Sequence, residues 1–491
     1  MKKKVIIIGG GVAGLSSGIY GQMNGYDTEI IEMHTKTGGQ CTAWDRKGYR
    51  FDYCLHWLVG TSKGSFHKLW KETNVINDQT KIIDHEIFSK ITNDKGEELI
   101  IYTNINKWEK YLIELAPEDT ASIKKMCSNM RKMSLLEPPG NAKGINKIVA
   151  LFKMAPILPI FIKYGKKSCY DYFKELNFKN PRLSIFFNKL YGDRNFSAIA
   201  FIAMLGWFNQ KNAGYIIGGS LPMAKRMTEK YQLLGGKLTL AKKVSKILVE
   251  NDTAKGVQLS DGTTIKSDYV ISAADGHTTI FEMLDEKYIS NQIKEAYETW
   301  DLFTPLVQVS YGINTIIKTD YPIQTIISEN KKIGSTALLL GYSIMTYFFD
   351  PTMAPEGKTV IVIRFESAWD IWKDMTIEAY KMEKENIKID STTLLESHFP
   401  GITSMIEVSD VATPLTDVLY TGVWKGSYEG FAPTPTNIIK TLSNTLPNLK
   451  KFYLAGQWLH PGGGLPPSVM SGKNAISKIC KNDKKEFNVI K

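Results

Sequence analysis

Residues 1–20, MKKKVIIIGGGVAGLSSGIY, pass from lysines into a β-branched run, then into glycines, then into a second apolar series. Val5 to Ile8 has the composition of a buried strand, and Val12, Leu15, Ile19 and Met23 recur at helical spacing. The stretch therefore reads as strand, tight turn, helix. Within the turn, Gly9, Gly11 and Gly14 have the G-x-G-x-x-G spacing. The first glycine permits the turn, the second lets backbone N–H groups approach a pyrophosphate, and the third lets helix pack on strand. Val12 and Ala13 open the helix, whose N-terminus would meet the phosphate charge.

Any glycine-rich turn can imitate this motif, so its context matters. A second strand from Thr28 to Ile31 ends in Glu32, where a carboxylate can accept hydrogen bonds from an adenosine ribose. After it, MHTKTGGQ places Gly38, Gly39 and Gln40 where a nicotinamide dehydrogenase would continue into another helix and strand. Here the chain resembles the FAD-binding amine oxidase and phytoene desaturase superfamily, whose members carry a second glycine doublet at this place. The resemblance implies FAD as cofactor and an α/β fold. Its Rossmann-like FAD-binding domain, of the glutathione reductase type, would be assembled from discontinuous segments, with an inserted α+β substrate domain. The expected division is 1–75, 215–281 and 436–491 for the FAD segments, and 76–214 and 282–435 for the two parts of the substrate domain.

The middle segment, from Tyr215, reads as helix, strand, hairpin and strand, with Asp261-Gly262 as the hairpin signal. It resembles the second FAD segment of phytoene desaturase relatives, which would set Val244 against the adenine; an ordinary core position for Val244 is equally compatible with the pattern. The third segment, FYLAGQWLHPGGGLPPSVMSGKNAISKI, supplies a strand from Phe452 to Leu454, a Gly/Pro turn and a helix near Ser468 to Lys481. By resemblance, Gly456 and Gln457 would lie at the ribityl chain, and Gly463, Gly464 and Leu465 at the isoalloxazine. Two departures stand out: Gln457 occupies the place of an acid, and Pro467 that of a glycine with a backbone donor.

At 491 residues with 43% hydrophobic content, the chain can bury two or three intertwined cores. Cys41, Cys54, Cys127, Cys169 and Cys480 contain no C-x-x-C pair, so no zinc knuckle or disulfide framework is indicated, and a reducing cytoplasm is expected. No stretch offers the roughly twenty uninterrupted apolar residues of a spanning helix. The net charge of +11 is partly local. Lys143, Lys147, Lys153, Lys163, Lys166 and Lys167 flank apolar runs in a segment without acids, which Pro156 and Pro159 divide. Residues 141–167 thus read either as a contact with the inner, anionic face of a membrane or as a lysine-flanked lid. Aromatic and basic residues are not interleaved as nucleic acid binding requires, and no such partner is expected.

After the doublet, FDYCLHWLVG resembles the retinol saturase and carotenoid isomerase branch more than the desaturases. His56 is the titratable side chain in that apolar run, a candidate donor near the flavin or a packed histidine beside Trp57. The absence of an acid–base constellation suits a flavoprotein, in which the cofactor carries the chemistry. The resemblance implies an FAD-dependent oxidoreductase acting on carbon–carbon bonds of a long apolar, isoprenoid, carotenoid-like or retinoid-like lipid. The alternatives are a redox-neutral flavin-dependent polyene isomerase and a non-catalytic lipid binder of the GDP dissociation inhibitor type. Intact Gly9, Gly11, Gly14 and Glu32 speak against the last.

Overall fold

A computed structural model describes residues 2–136, 155–189, 195–328, 331–338 and 341–489. Its first sheet is five parallel strands in the spatial order Lys237–Thr239, Asp27–Ile31, Lys4–Ile8, Tyr269–Ser272 and Phe452–Leu454. Strands far apart in the chain thus lie side by side. The alternation of Lys4–Ile8 explains its place at the centre: Val5 and Ile7 point to one layer, Ile6 and Ile8 to the other, and all four are buried. On the first side lie the helices Val12–Met23, Ser220–Leu233 and Leu465–Asn482. On the second lies a three-stranded antiparallel sheet, Val244–Glu250, Thr253–Leu259 and Thr264–Lys266.

The antiparallel sheet has two tight turns where the sequence signalled one. Asp261-Gly262 is joined by Asn251-Asp252, whose φ values of 48° and 54° make the two-residue left-handed loop that suits strand twist. The closing helix starts at Leu465, three residues ahead of the expected Ser468, and so takes Pro466 and Pro467 into its first turn. Amides there have no intrahelical acceptor, so proline removes nothing the helix needs.

A second, seven-stranded sheet runs in the order Ile406–Ala412, Leu306–Ile313, Thr359–Glu366, Tyr342–Thr346, Ile323–Ile327, Ile87–Asn93 and Glu98–Tyr102. Every neighbouring pair is antiparallel except Ile323–Ile327 with Ile87–Asn93. Period-two alternation again sorts its residues. Ile361 and Ile363 pack with Ile387 and Leu395 of the helix Ile377–His398, while Val360 and Val362 join Tyr49, Phe51 and Tyr215 on the opposite face. Arg364 belongs to that second face. A helical cluster completes the molecule around Trp108, Phe173, Phe187 and Phe201, crossed by the almost wholly apolar helix Ala198–Asn209. No helix among the described residues is long and apolar enough to cross a membrane.

Candidate functional site

The two glycine loops are zipped together. Gly38 N donates to Gly10 O at 2.9 Å, and Gly11 and Gly38 form a parallel bridge. Gly9 and Gly38 need their positive φ values of 93° and 119°. Gly14 is required by packing, because a Cβ there would stand 1.9 Å from Gly9 O. At Gly11 the geometry is different: a Cβ would meet nothing nearer than 3.9 Å. The helix that begins at Val12 has no side-chain cap and no acid in its first turn, so its leading amides and positive dipole end are left for an anion.

Glu32 closes the loop from below. Its Oε2 accepts from Gly10 N at 2.5 Å and its Oε1 from His34 N at 2.8 Å, with only 8% of the residue exposed. Val244 is buried in the core with Ile8 and Ile31, so any role toward an adenine falls to its backbone. The third stretch reaches the first through amides: Gln457 Nε2 donates to Gln40 Oε1 at 3.1 Å, while Gln40 Nε2 is buried with no partner among the described residues. Gly456 (φ 124°) turns its backbone toward open space, its N–H held by Ser471 Oγ at 2.7 Å. Gly463 has a structural reason of its own, since a Cβ there would lie 2.0 Å from Glu429 O, and Gly464 (φ 77°) caps the helix that begins at Leu465. Free helix amides, a backbone approach open at Gly11 and Gly456, and an orphan amide donor at Gln40 together fit a dinucleotide with a polyol chain. The structure thus brings the sequence-chosen residues into one strip, apart from the Val244 side chain.

A short distance along the first segment, Asp52 anchors a helix that packs on this strip. Its carboxylate accepts from Ser220 N at 2.6 Å, Ser220 Oγ at 2.7 Å and Leu55 N at 2.9 Å, at the start of the helix whose Ala224 packs on Gly38. Burial raises the Asp52 carboxyl above the usual carboxylate range. Four residues on, His56 faces a cavity of about 320 Å³ walled by Trp57, Phe88, Phe208, Tyr215, Tyr347 and Phe349. The rings interlock, with Trp57–Phe208 centroids at 5.2 Å, Phe88–Phe208 at 4.7 Å and Tyr215–Phe349 at 5.1 Å.

His56 is not poised as an acid. Arg364 Nη1 bonds its Nε2, and a guanidinium can only donate, so Nε2 accepts and the ring proton sits on Nδ1. Burial and then the Arg364 charge hold its pKa well below the ordinary histidine value. Arg364 is itself fixed by Gln308, its cross-strand neighbour, whose Oε1 accepts from Nε at 2.7 Å, and by the Tyr53 carbonyl. This Arg364–Gln308 support was missed in the sequence. The signal for it is the one cation in the apolar run TVIVIRF. Beside it, Tyr53 Oη donates to Asp417, whose carboxyl burial pushes up to about 7. No group of three or more His, Cys, Asp or Glu among the described residues could hold a metal ion.

Known proteins resemble this chain along nearly its whole length. The family model described as flavin containing amine oxidoreductase matches residues 12–479. A neurosporene-forming phytoene desaturase of Rhodobacter capsulatus is 23% identical, over 97% of this chain and 94% of its own. A chloroplastic prolycopene isomerase of Daucus carota is 22% identical, over 97% and 79%. Among solved structures, cyclohexylamine oxidase from Brevibacterium oxydans superposes with a TM-score of 0.59 at 12% identity, covering 99% of this chain and all of that one, a likeness of fold. The chain belongs to the flavin containing amine oxidoreductase family, and its cofactor is FAD.

Proposed function

We propose that the protein is an FAD-dependent oxidoreductase that changes the bond order of carbon–carbon bonds in a long apolar polyene of isoprenoid type. The observation that carries the reading is the aromatic cavity, whose wall residues His56 and Tyr215 follow and precede by a few residues the Asp52–Ser220 contact that anchors the helix packed on Gly38. FAD, when bound, supplies the two-electron chemistry. The chain's own residues do the rest. Gly9, Gly11, Gly14 and the helix after them would bind the pyrophosphate, Glu32 the ribose, and Gln40 with Gln457 the ribityl chain. The rings of the cavity would orient a conjugated chain and exclude water. In this reading 1–75, 215–281 and 436–491 hold the cofactor, and 76–214 and 282–435 choose the substrate.

The desaturase and isomerase relatives favour two outcomes that one experiment separates. Purified protein loaded with FAD is incubated with a linear carotenoid, once with the flavin oxidised in air and once with the flavin reduced by dithionite under anaerobic conditions, and the extracted polyene is weighed by mass spectrometry and resolved by chromatography. A mass shifted by two hydrogens supports the oxidoreductase. An unchanged mass with a changed elution position supports redox-neutral isomerisation. No change in either, over a range of polyenes, overturns both.

We also propose peripheral contact with the inner face of a membrane. Residues 141–154 of the basic segment lie outside the described residues, but the helix Leu158–Tyr164 supports the reading. It buries Ile160 and Tyr164 and leaves Leu158 and Ile162 58% and 77% exposed, next to Lys163 and Lys166. An apolar pair one helical turn apart beside lysines is suited to anionic lipid.

A further inference from the structure

The cavity is aromatic but not wholly apolar. Two buried polar atoms of residues in its wall, Tyr347 Oη and His85 Nε2, have no hydrogen-bond partner among the described residues. Such groups are uncommon in folded proteins, because each forfeits its bonds to water and gains nothing in return. The neighbouring Tyr215 marks the contrast: its hydroxyl donates to Asp350 Oδ2 at 2.8 Å. Both orphans belong to one corner. The His85 ring packs edge-on against Phe349 at 4.5 Å between centroids, and the Tyr347 ring lies 5.9 Å from the same Phe349.

Charge decides what kind of group this corner would take. The rim carboxylates are exposed and opposed by lysines: Glu86 pairs with Lys107 at 2.5 Å, and Asp84 shares the rim with Lys211. Inside, burial lowers His85 to about 4, so at neutral pH it is uncharged, and the Tyr347 phenol is held neutral by burial as well. The charges near this corner, Asp52, Asp350 and Arg364, are each bonded to groups of the protein itself, so an amine or a carboxylate would enter without a counter-charge of its own, at a large desolvation penalty. A hydroxyl is different, because it both donates and accepts. It can bond a phenol and either tautomer of a neutral imidazole.

We propose that the substrate is an oxygenated polyene, carrying a hydroxyl group that Tyr347 Oη and His85 Nε2 hold in the Phe349 corner of the cavity. The proposal rests on the reading of this cavity as the polyene site. It makes Tyr347 and His85 the residues that set specificity: a pure hydrocarbon would leave both polar atoms buried and unpaired, whereas the alcohol satisfies both.

The test is equilibrium binding, followed by quenching of protein fluorescence in detergent micelles, with lycopene and its mono-hydroxylated derivative as probes. Wild-type protein should bind the alcohol at least about tenfold more tightly than the hydrocarbon. In a Tyr347→Phe, His85→Leu double variant that ratio should fall to within about twofold of unity, while Tyr311→Phe, outside the cavity wall and with its hydroxyl bonded to Thr392, should keep the preference. Equal affinities in the wild type, or a preference that survives the double variant, would overturn the inference and leave the polyene reading standing. Lycopene and its alcohol both failing to bind would overturn the polyene reading and this inference with it. Should the double variant not retain FAD, the wild-type ratio alone decides.

Discussion

Gly11 and Gly14, three residues apart, are glycines for unlike reasons. A Cβ on Gly14 would strike Gly9 O at 1.9 Å, so Gly14→Ala forces helix from strand and should lower stability by about 1–3 kcal/mol. A Cβ on Gly11 would make only ordinary contact with Gly38 and Gly39, at 3.9 Å, and its φ of −66° suits any residue. Gly11→Val should therefore fold and melt like the flavin-free wild type yet take up no flavin, since the side chain would fill the approach to the pyrophosphate. Absorbance of the purified variant near the flavin bands, beside a urea melt, checks both halves; a yellow Gly11→Val protein would contradict the cofactor placement. The motif was legible because three glycines, Glu32 and the doublet are fixed by spacing alone. Arg364 was not, since its meaning depends on a cross-strand register with Gln308 and on His56, 308 positions away in the chain. His56 drew notice as a lone titratable residue, but its tautomer is set by that distant guanidinium.

At the scale of elements, strands with buried faces on both sides and helices of clear period were readable, and turn chemistry less so. Asn251-Asp252 carries no glycine, so its left-handed loop is visible only in the backbone. The prolines after Gly464 looked like part of a turn because proline ends helices more often than it opens them, yet here they fill positions where no amide is missed. The helix Leu158–Tyr164 makes a prediction of its own kind. Lys163 and Lys167 both pair with Glu175, which they hold down at about 2, so part of the local charge is spent inside the fold. The exposed Leu158 and Ile162 should then contribute most of any membrane affinity. Ile162→Asp is expected to reduce co-sedimentation with anionic vesicles several-fold, with little change in flavin content. Sedimentation unchanged by the substitution would return this helix to the role of a lid.

At the scale of the whole molecule, three carboxyls are buried in its interior. Burial raises Asp417 and Glu429 to about 7 and Asp275 to about 6. A carboxyl whose pKa rises on folding holds its proton more tightly in the native state. Its contribution is therefore complete below about pH 4, the unfolded value, and is lost as pH climbs through about 6 to 7. Asp417→Asn removes one such group while keeping an acceptor for Tyr53 Oη. The variant should gain on the wild type between about pH 4 and 7, measured by urea denaturation at several pH values; a constant difference would show that Asp417 is ionised when folded. His85, lowered to about 4, acts in the opposite sense, losing its contribution on acidification. The three-stretch assembly of the first sheet was legible from its end motifs, but the cavity was not. Its walls come from residues 57, 88, 208, 215, 347 and 349, and only the fold brings them together. The decisive measurement is mass spectrometry of the small molecules released when protein purified gently from its own host is denatured. FAD together with an isoprenoid polyene is the expected result. Protein that releases no flavin, and takes up none from an excess of FAD, would contradict it.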